Sequence, residues 1–165
     1  MLFMMSFYGG YAYLGAHTRT TFGIGATAAG LSALSYGVGF GLAALVSGVI
    51  DKYGRKIVLT TGFGLGAVLL APLPIAPSFA AFLLMVFIWG FINHFILNMI
   101  VVGLNALAPN NRGAVMGLYS ATTYSAAAVG VLLMGQMYEG SGFMAVALTA
   151  AAFNFTAMLL AFRRT

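Results

Sequence analysis

Apolar residues run along this chain in long continuous blocks, broken by short polar, glycine- or proline-marked stretches. The blocks lie at about residues 2–16, 25–50, 57–73, 78–104, 113–137 and 142–162. The breaks are His17-Thr18-Arg19-Thr20, Asp51 to Lys56, the Pro72/Pro74/Pro77 cluster, Pro109 to Arg112, and the Glu139 region; Arg163-Arg164 close the last block. Continuous runs, without the period-two alternation of a membrane barrel, predict helices. The pattern therefore predicts an all-α membrane protein with six transmembrane helices in a single domain, 1–165. The first block is the irregular one: about 15 residues before His17 fall short of the ~20 needed to cross a bilayer. Either the bilayer thins there, or the helix continues into the polar residues, or the chain begins inside a longer plan.

Composition sharpens this. With 62% hydrophobic and 5% charged residues, the chain cannot cover an apolar core with charge, so the soluble and disordered classes are excluded. The length suits six spans at roughly 25–30 residues each with their connections. The net charge of +5 carries no basic stripe interleaved with exposed aromatics, so nucleic acid is not a partner; the lipid bilayer is. Six alternating helices put Lys52, Arg55, Lys56, Arg112, Arg163 and Arg164 on one side and only Arg19 on the other. By the positive-inside rule that side, with both termini, is cytoplasmic. The expected location is a bacterial inner (plasma) membrane. Cysteine is absent, and no nucleophile–base pair, metal spacing or phosphate loop is evident, so neither an enzyme nor a cofactor is expected.

Ionisable groups within membrane spans are costly and usually functional. His94 lies near the middle of the fourth block, with Asn98 one turn on and Asn93 and Trp89 on the adjacent face. Its near-neutral unperturbed pKa suits a proton carrier, and a neutral histidine bonded between helices is the structural alternative. Tyr8 and Tyr11 share a face of the first block with Met4 and Gly15. Ser32, Ser35 and Tyr36 on the second block and Tyr119, Thr123 and Gln136 on the fifth are further polar positions; hydroxyls back-bond within a helix at little cost, which favours structural roles for most of them. Gly37, Gly39, Gly41, Ala44 and Gly48 form a small-residue seam on the second block, and Gly113 and Gly117 begin another on the fifth.

The turn Ser47-Gly48-Val49-Ile50-Asp51-Lys52-Tyr53-Gly54-Arg55-Lys56 resembles the signature loop of the major facilitator superfamily: glycine, three residues, aspartate, basic, any, glycine, arginine, basic. Asp51, Lys52, Gly54, Arg55 and Lys56 match, whereas Ser47 stands at the leading glycine. A turn this short requires Gly54 for its backbone. Asn111 to Tyr119 is similar to the loop and fifth-helix start of that family. Gly130 to Gly135 lies where antiporters carry a glycine–proline signature, with Val131 at the proline position. Phe7 to Gly15 is reminiscent of drug and sugar efflux members.

The resemblance implies one half of a twelve-helix fold whose two halves are related by an axis along the membrane normal. It implies a secondary transporter that moves a small molecule by alternating access, as efflux. The partner would be a second six-helix unit, in a homodimer or as the missing half of a longer or split transporter. In that family the first and fourth helices line the cavity. That makes Tyr8, Tyr11, Trp89, Asn93, His94 and Asn98 the expected substrate contacts, with protons a candidate coupling ion. Asp51, Lys52, Gly54, Arg55, Lys56 and Arg112 become a conformational latch, and Gly37, Gly41, Gly48, Gly113 and Gly117 the interface between units. No carboxylate lies within a span, which speaks against classical carboxylate coupling. The alternative is a non-transporting assembly or regulatory subunit, or a degenerate transporter remnant.

Overall fold

In the computed structural model all described secondary structure is helical. The described residues are 1–50, 52–107 and 109–164, with the side chains of Val49, Ile50 and Arg164 left aside. The elements are α1 (Leu2–Ala12), α2 (Leu14–Phe22), α3 (Ala26–Leu45), α4 (Ser47–Ile50), α5 (Gly54–Leu70), a 3₁₀ turn at Leu73–Ile75, α6 (Phe79–Leu107) and α7 (Arg112–Arg164). Among the described residues, four stretches are long and apolar enough to cross a bilayer: Ala26–Leu45, Gly54–Ile75, Phe79–Leu107 and Arg112–Arg163.

The first helix does not stop at the polar run. It breaks at Tyr13 (φ −101°, ψ 0°) and resumes as α2 through His17 and Arg19 to Phe22. The two pieces with Tyr13 reach ~32 Å at 1.5 Å per residue, the depth of a hydrocarbon core. The threonine hydroxyls of the polar run are carried because they are satisfied locally. Thr18 donates to the Leu14 carbonyl at 2.6 Å, and Thr20 to those of Ala16 and His17. His17 itself is buried, stacked on Phe143 at 4.3 Å, with Nδ1 3.1 Å from Thr21 Oγ1. Tyr13 holds the break in place by donating to the Val131 carbonyl at 3.0 Å and stacking on Tyr138.

α7 is also broken. Gly142 has φ 72° and ψ −171°, outside helical geometry. In a straight helix Gly130 and Ala150 would stand ~30 Å apart. Both instead contact α1: Gly130 lies against Met5, and Ser6 donates to the Ala150 carbonyl at 3.0 Å. Thr149 also reaches Met137 Sδ at 3.3 Å. The helix therefore reverses at Gly142 into a first arm (112–141) and a second arm (143–164).

One end of the bundle collects the cationic turns. Arg55 lies against Gly103, Lys56 sits 5.2 Å over the Phe162 ring, and Met1 lines a hollow with Leu107 and Val115. Arg19 is at the other end, in the element that stacks on Phe143 just beyond the reversal. The motif turn has Gly54 at φ 74°, the left-handed backbone its shortness requires.

Lipid-solvated helices gain little from burying apolar surface, so close packing and interhelical hydrogen bonds must hold them. Two reciprocal glycine contacts do so. Gly39 of α3 faces the Phe87 carbonyl, and Gly90 of α6 faces the Tyr36 carbonyl and the Phe40 nitrogen. Gly130 of α7 faces the Met5 backbone, and Gly9 of α1 faces the Gly130 carbonyl. A β-carbon at any of the four would meet backbone that cannot swing away. Asn154 of the second arm adds a buried bond, its amide donating to Ser6 Oγ at 2.6 Å. Gly90→Ala is expected to destabilise the chain by about 1–3 kcal/mol through overpacking. Gly37→Ala, with open space around it, should stay within about 0.5 kcal/mol. Thermal unfolding of both variants in detergent checks this.

Candidate functional site

A cavity of about 230 Å³ lies among α1, α3, α6 and the first arm of α7. The close α3–α6 approach builds its floor. Tyr36, beside the Gly90 contact, accepts a hydrogen bond from Asn93 Nδ2 at 3.0 Å. Its ring stacks on Phe7 (5.3 Å) and meets Tyr11 and Trp89 edge-on, both at 5.2 Å. α1 adds Phe3, Met4, Phe7 and Tyr8; the first arm adds Tyr119, Ser120, Thr123 and Tyr124. Among the described residues no carboxylate, ammonium, guanidinium or imidazole lines it. Such walls bind by ring stacking and by hydroxyl and amide hydrogen bonds. Asn93 Oδ1 is buried without a partner, so the amide has unspent bonding capacity at the cavity wall.

The expected contacts divide into three groups. Tyr8 and Asn93 line the cavity. Tyr11 and Trp89 stand behind Tyr36, and Trp89 is 1% exposed. His94 and Asn98 do not line it. His94 Nε2 is instead 3.0 Å from Ser47 Oγ of α4, with Phe40 and Phe95 edge-on to its ring; Asn98 is half-buried farther along α6. Tyr36, Tyr119 and Thr123, outside the expected contact set, line the cavity, and Tyr36 has its partner on another helix.

Of the latch residues, Asp51 lies outside the described residues. Arg55 and Lys56 hold the turn to α6 and to the second arm through Gly103 and Phe162. Lys52 and Arg112 are exposed. The interface glycines Gly37, Gly41, Gly48, Gly113 and Gly117 all have open space where a β-carbon would stand. On the first arm, Gly113, Gly117, Ser120 and Tyr124 follow helical spacing, so the open stripe runs into the cavity mouth, where Tyr124 is 70% exposed.

Helices long and apolar enough to cross a bilayer, four stretches among the described residues, define an integral membrane protein. The profile of the Major Facilitator Superfamily matches residues 1–165, and the chain belongs to that family. It is similar to the uncharacterized MFS-type transporter YwfA of Bacillus subtilis (strain 168), with 36% identity over 159 residues, covering 95% of this chain. The chain spans 38% of that relative's length. No solved structure matches the chain.

Tyr36→Phe leaves the buried Asn93 amide without its partner and should cost about 1–3 kcal/mol. Tyr8→Phe should cost less than about 0.5 kcal/mol. Detergent thermal unfolding distinguishes the two.

Proposed function

We propose that the chain is a six-helix unit of a secondary transporter that exports a small amphipathic or sugar-like molecule by alternating access. The six crossings are α1 with α2, α3 with α4, α5, α6, and the two arms of α7. The unit sits in a bacterial inner membrane with its basic end, and both termini, on the cytoplasmic side. The observation that carries the reading is the stripe Gly113, Gly117, Ser120, Tyr124. It is an open small-residue face and the cavity mouth at once, so whatever covers the glycines also closes the cavity. The cover we propose is a second six-helix unit, either a second copy or the remainder of a longer polypeptide. Gly37, Gly41 and Gly48 supply the matching open face on the second crossing.

Substrate contacts in this reading are Tyr8, Tyr36, Asn93, Tyr119, Thr123 and Tyr124, with Trp89 and Tyr11 fixing Tyr36. His94, bonded to Ser47 beside the motif turn, links helix α6 to that turn, and with it the cavity to the latch formed by Asp51, Lys52, Gly54, Arg55, Lys56 and Arg112. Rocking of the units would then move the turn and the cavity floor together. Efflux rests on the likeness of Phe7 to Gly15 to efflux members.

The chain has no cysteine, so introduced cysteines report without background. Gly41→Cys and Gly117→Cys, introduced together on the two matching faces, should form an oxidised dimer in membranes if the second unit is a copy, because a disulfide needs the two Cα atoms within about 7 Å. Leu148→Cys, on the exposed second arm, should not. In a thermal-shift ligand screen, compounds that stabilise the wild type should lose their effect with Tyr36→Ala and Asn93→Ala. Ligands that stabilise both variants as well as the wild type would place the site elsewhere.

A further inference from the structure

A second hollow, of about 360 Å³, runs down the outside of the bundle between α5 and α6, away from the substrate cavity. Tyr53, Ile57, Thr61 and Leu65 recur every fourth residue and form one stripe along its length. Phe91 and Phe95 of α6, edge-on to each other at 5.1 Å, make the far wall. Gly62 forms the floor, because a β-carbon there would collide with Ile96. Tyr53, Ile57 and Leu65 are all more than half exposed.

The dimensions and the charge at the mouth select the occupant. From Tyr53 to Leu65 the stripe descends ~18 Å at 1.5 Å per residue. One leaflet of hydrocarbon is about 15 Å deep, half of a ~30 Å core. The groove thus begins at the headgroup level, where a tyrosine suits the interface, and ends near the bilayer centre. Its mouth is at the basic end of the bundle. Arg55 and Lys56 are committed there to Gly103 and Phe162. Lys52, next to Tyr53, is exposed and without a partner among the described residues.

We propose that this groove holds one acyl chain of an anionic phospholipid, with Lys52 on its phosphate. The lipid is a retained ligand of the α5–α6 seam, distinct from freely exchanging lipid elsewhere on the surface. It bridges the motif turn to the cavity-forming helix α6. The site stands whether or not the chain transports anything.

The test reconstitutes the full chain in vesicles of equal phosphatidylcholine and phosphatidylglycerol, extracts it in mild detergent and identifies retained lipid by native mass spectrometry. The wild type should retain phosphatidylglycerol over phosphatidylcholine by about fivefold, the effect of one lysine at an anionic surface. Lys52→Gln should erase the preference while total retained lipid persists. Thr61→Trp and Leu65→Trp, which fill the groove, should each remove the bound lipid. Val68→Trp, exposed on α5 but outside the groove, should keep it. A wild type without preference, a Lys52→Gln variant that retains it, or groove-filling variants that bind as much lipid as Val68→Trp would each overturn the proposal.

Discussion

Backbone-to-backbone contact between α3 and α6 is the constraint on which the cavity depends. Gly39 and Gly90 each remove a β-carbon where the other helix presents a carbonyl, those of Phe87 and Tyr36. Only at that separation does Asn93, one turn beyond Gly90, meet the Tyr36 hydroxyl at 3.0 Å. The bond holds Tyr36 against Phe7, Tyr11 and Trp89, and this aromatic cluster is the wall the cavity rests on. The same contact sets the rotation of α6 about its axis. Asn93 faces the cavity while His94, ~100° around the helix, faces Ser47 and the motif turn.

The second glycine pair plays a parallel part on the other side. Gly9 and Gly130 bring α1 onto α7, and Ser6, Ala150 and Asn154 tie α1 to the returning arm. The cavity forms between these two tightly joined pairs, lined by side chains from both. By contrast, Gly37, Gly41, Gly113 and Gly117 have no neighbour. The glycines that knit the helices together are thus distinct from those that stay open.

Much of the helical plan was legible in the sequence, because lipid as solvent demands long apolar runs and sorts charge to the ends. The motif turn was legible too: its brevity demanded a left-handed glycine, and Gly54 has that backbone. The first helix was harder. A polar run reads as a loop unless each hydroxyl finds a carbonyl within the helix, as Thr18 and Thr20 do, and His17 finds cover against Phe143. Glycine roles were not legible individually, since Gly37, Gly39 and Gly41 look alike in sequence and only Gly39 meets another backbone. The cavity position of Tyr36 is not legible either, because its bonding partner lies 57 residues away and no local spacing announces it.

The central claim is that the first arm of α7 presents a solvent-reaching, ligand-binding cavity at its open stripe. Ser120→Cys, in the otherwise cysteine-free chain, probes it most directly with a membrane-impermeant maleimide in intact vesicles. A substrate cavity predicts rapid labelling at residue 120, slowed by a bound ligand, while Leu132→Cys, 70% exposed on the same arm but off the stripe, stays unlabelled in lipid. Equal inertness at residues 120 and 132, with or without ligand, would contradict it.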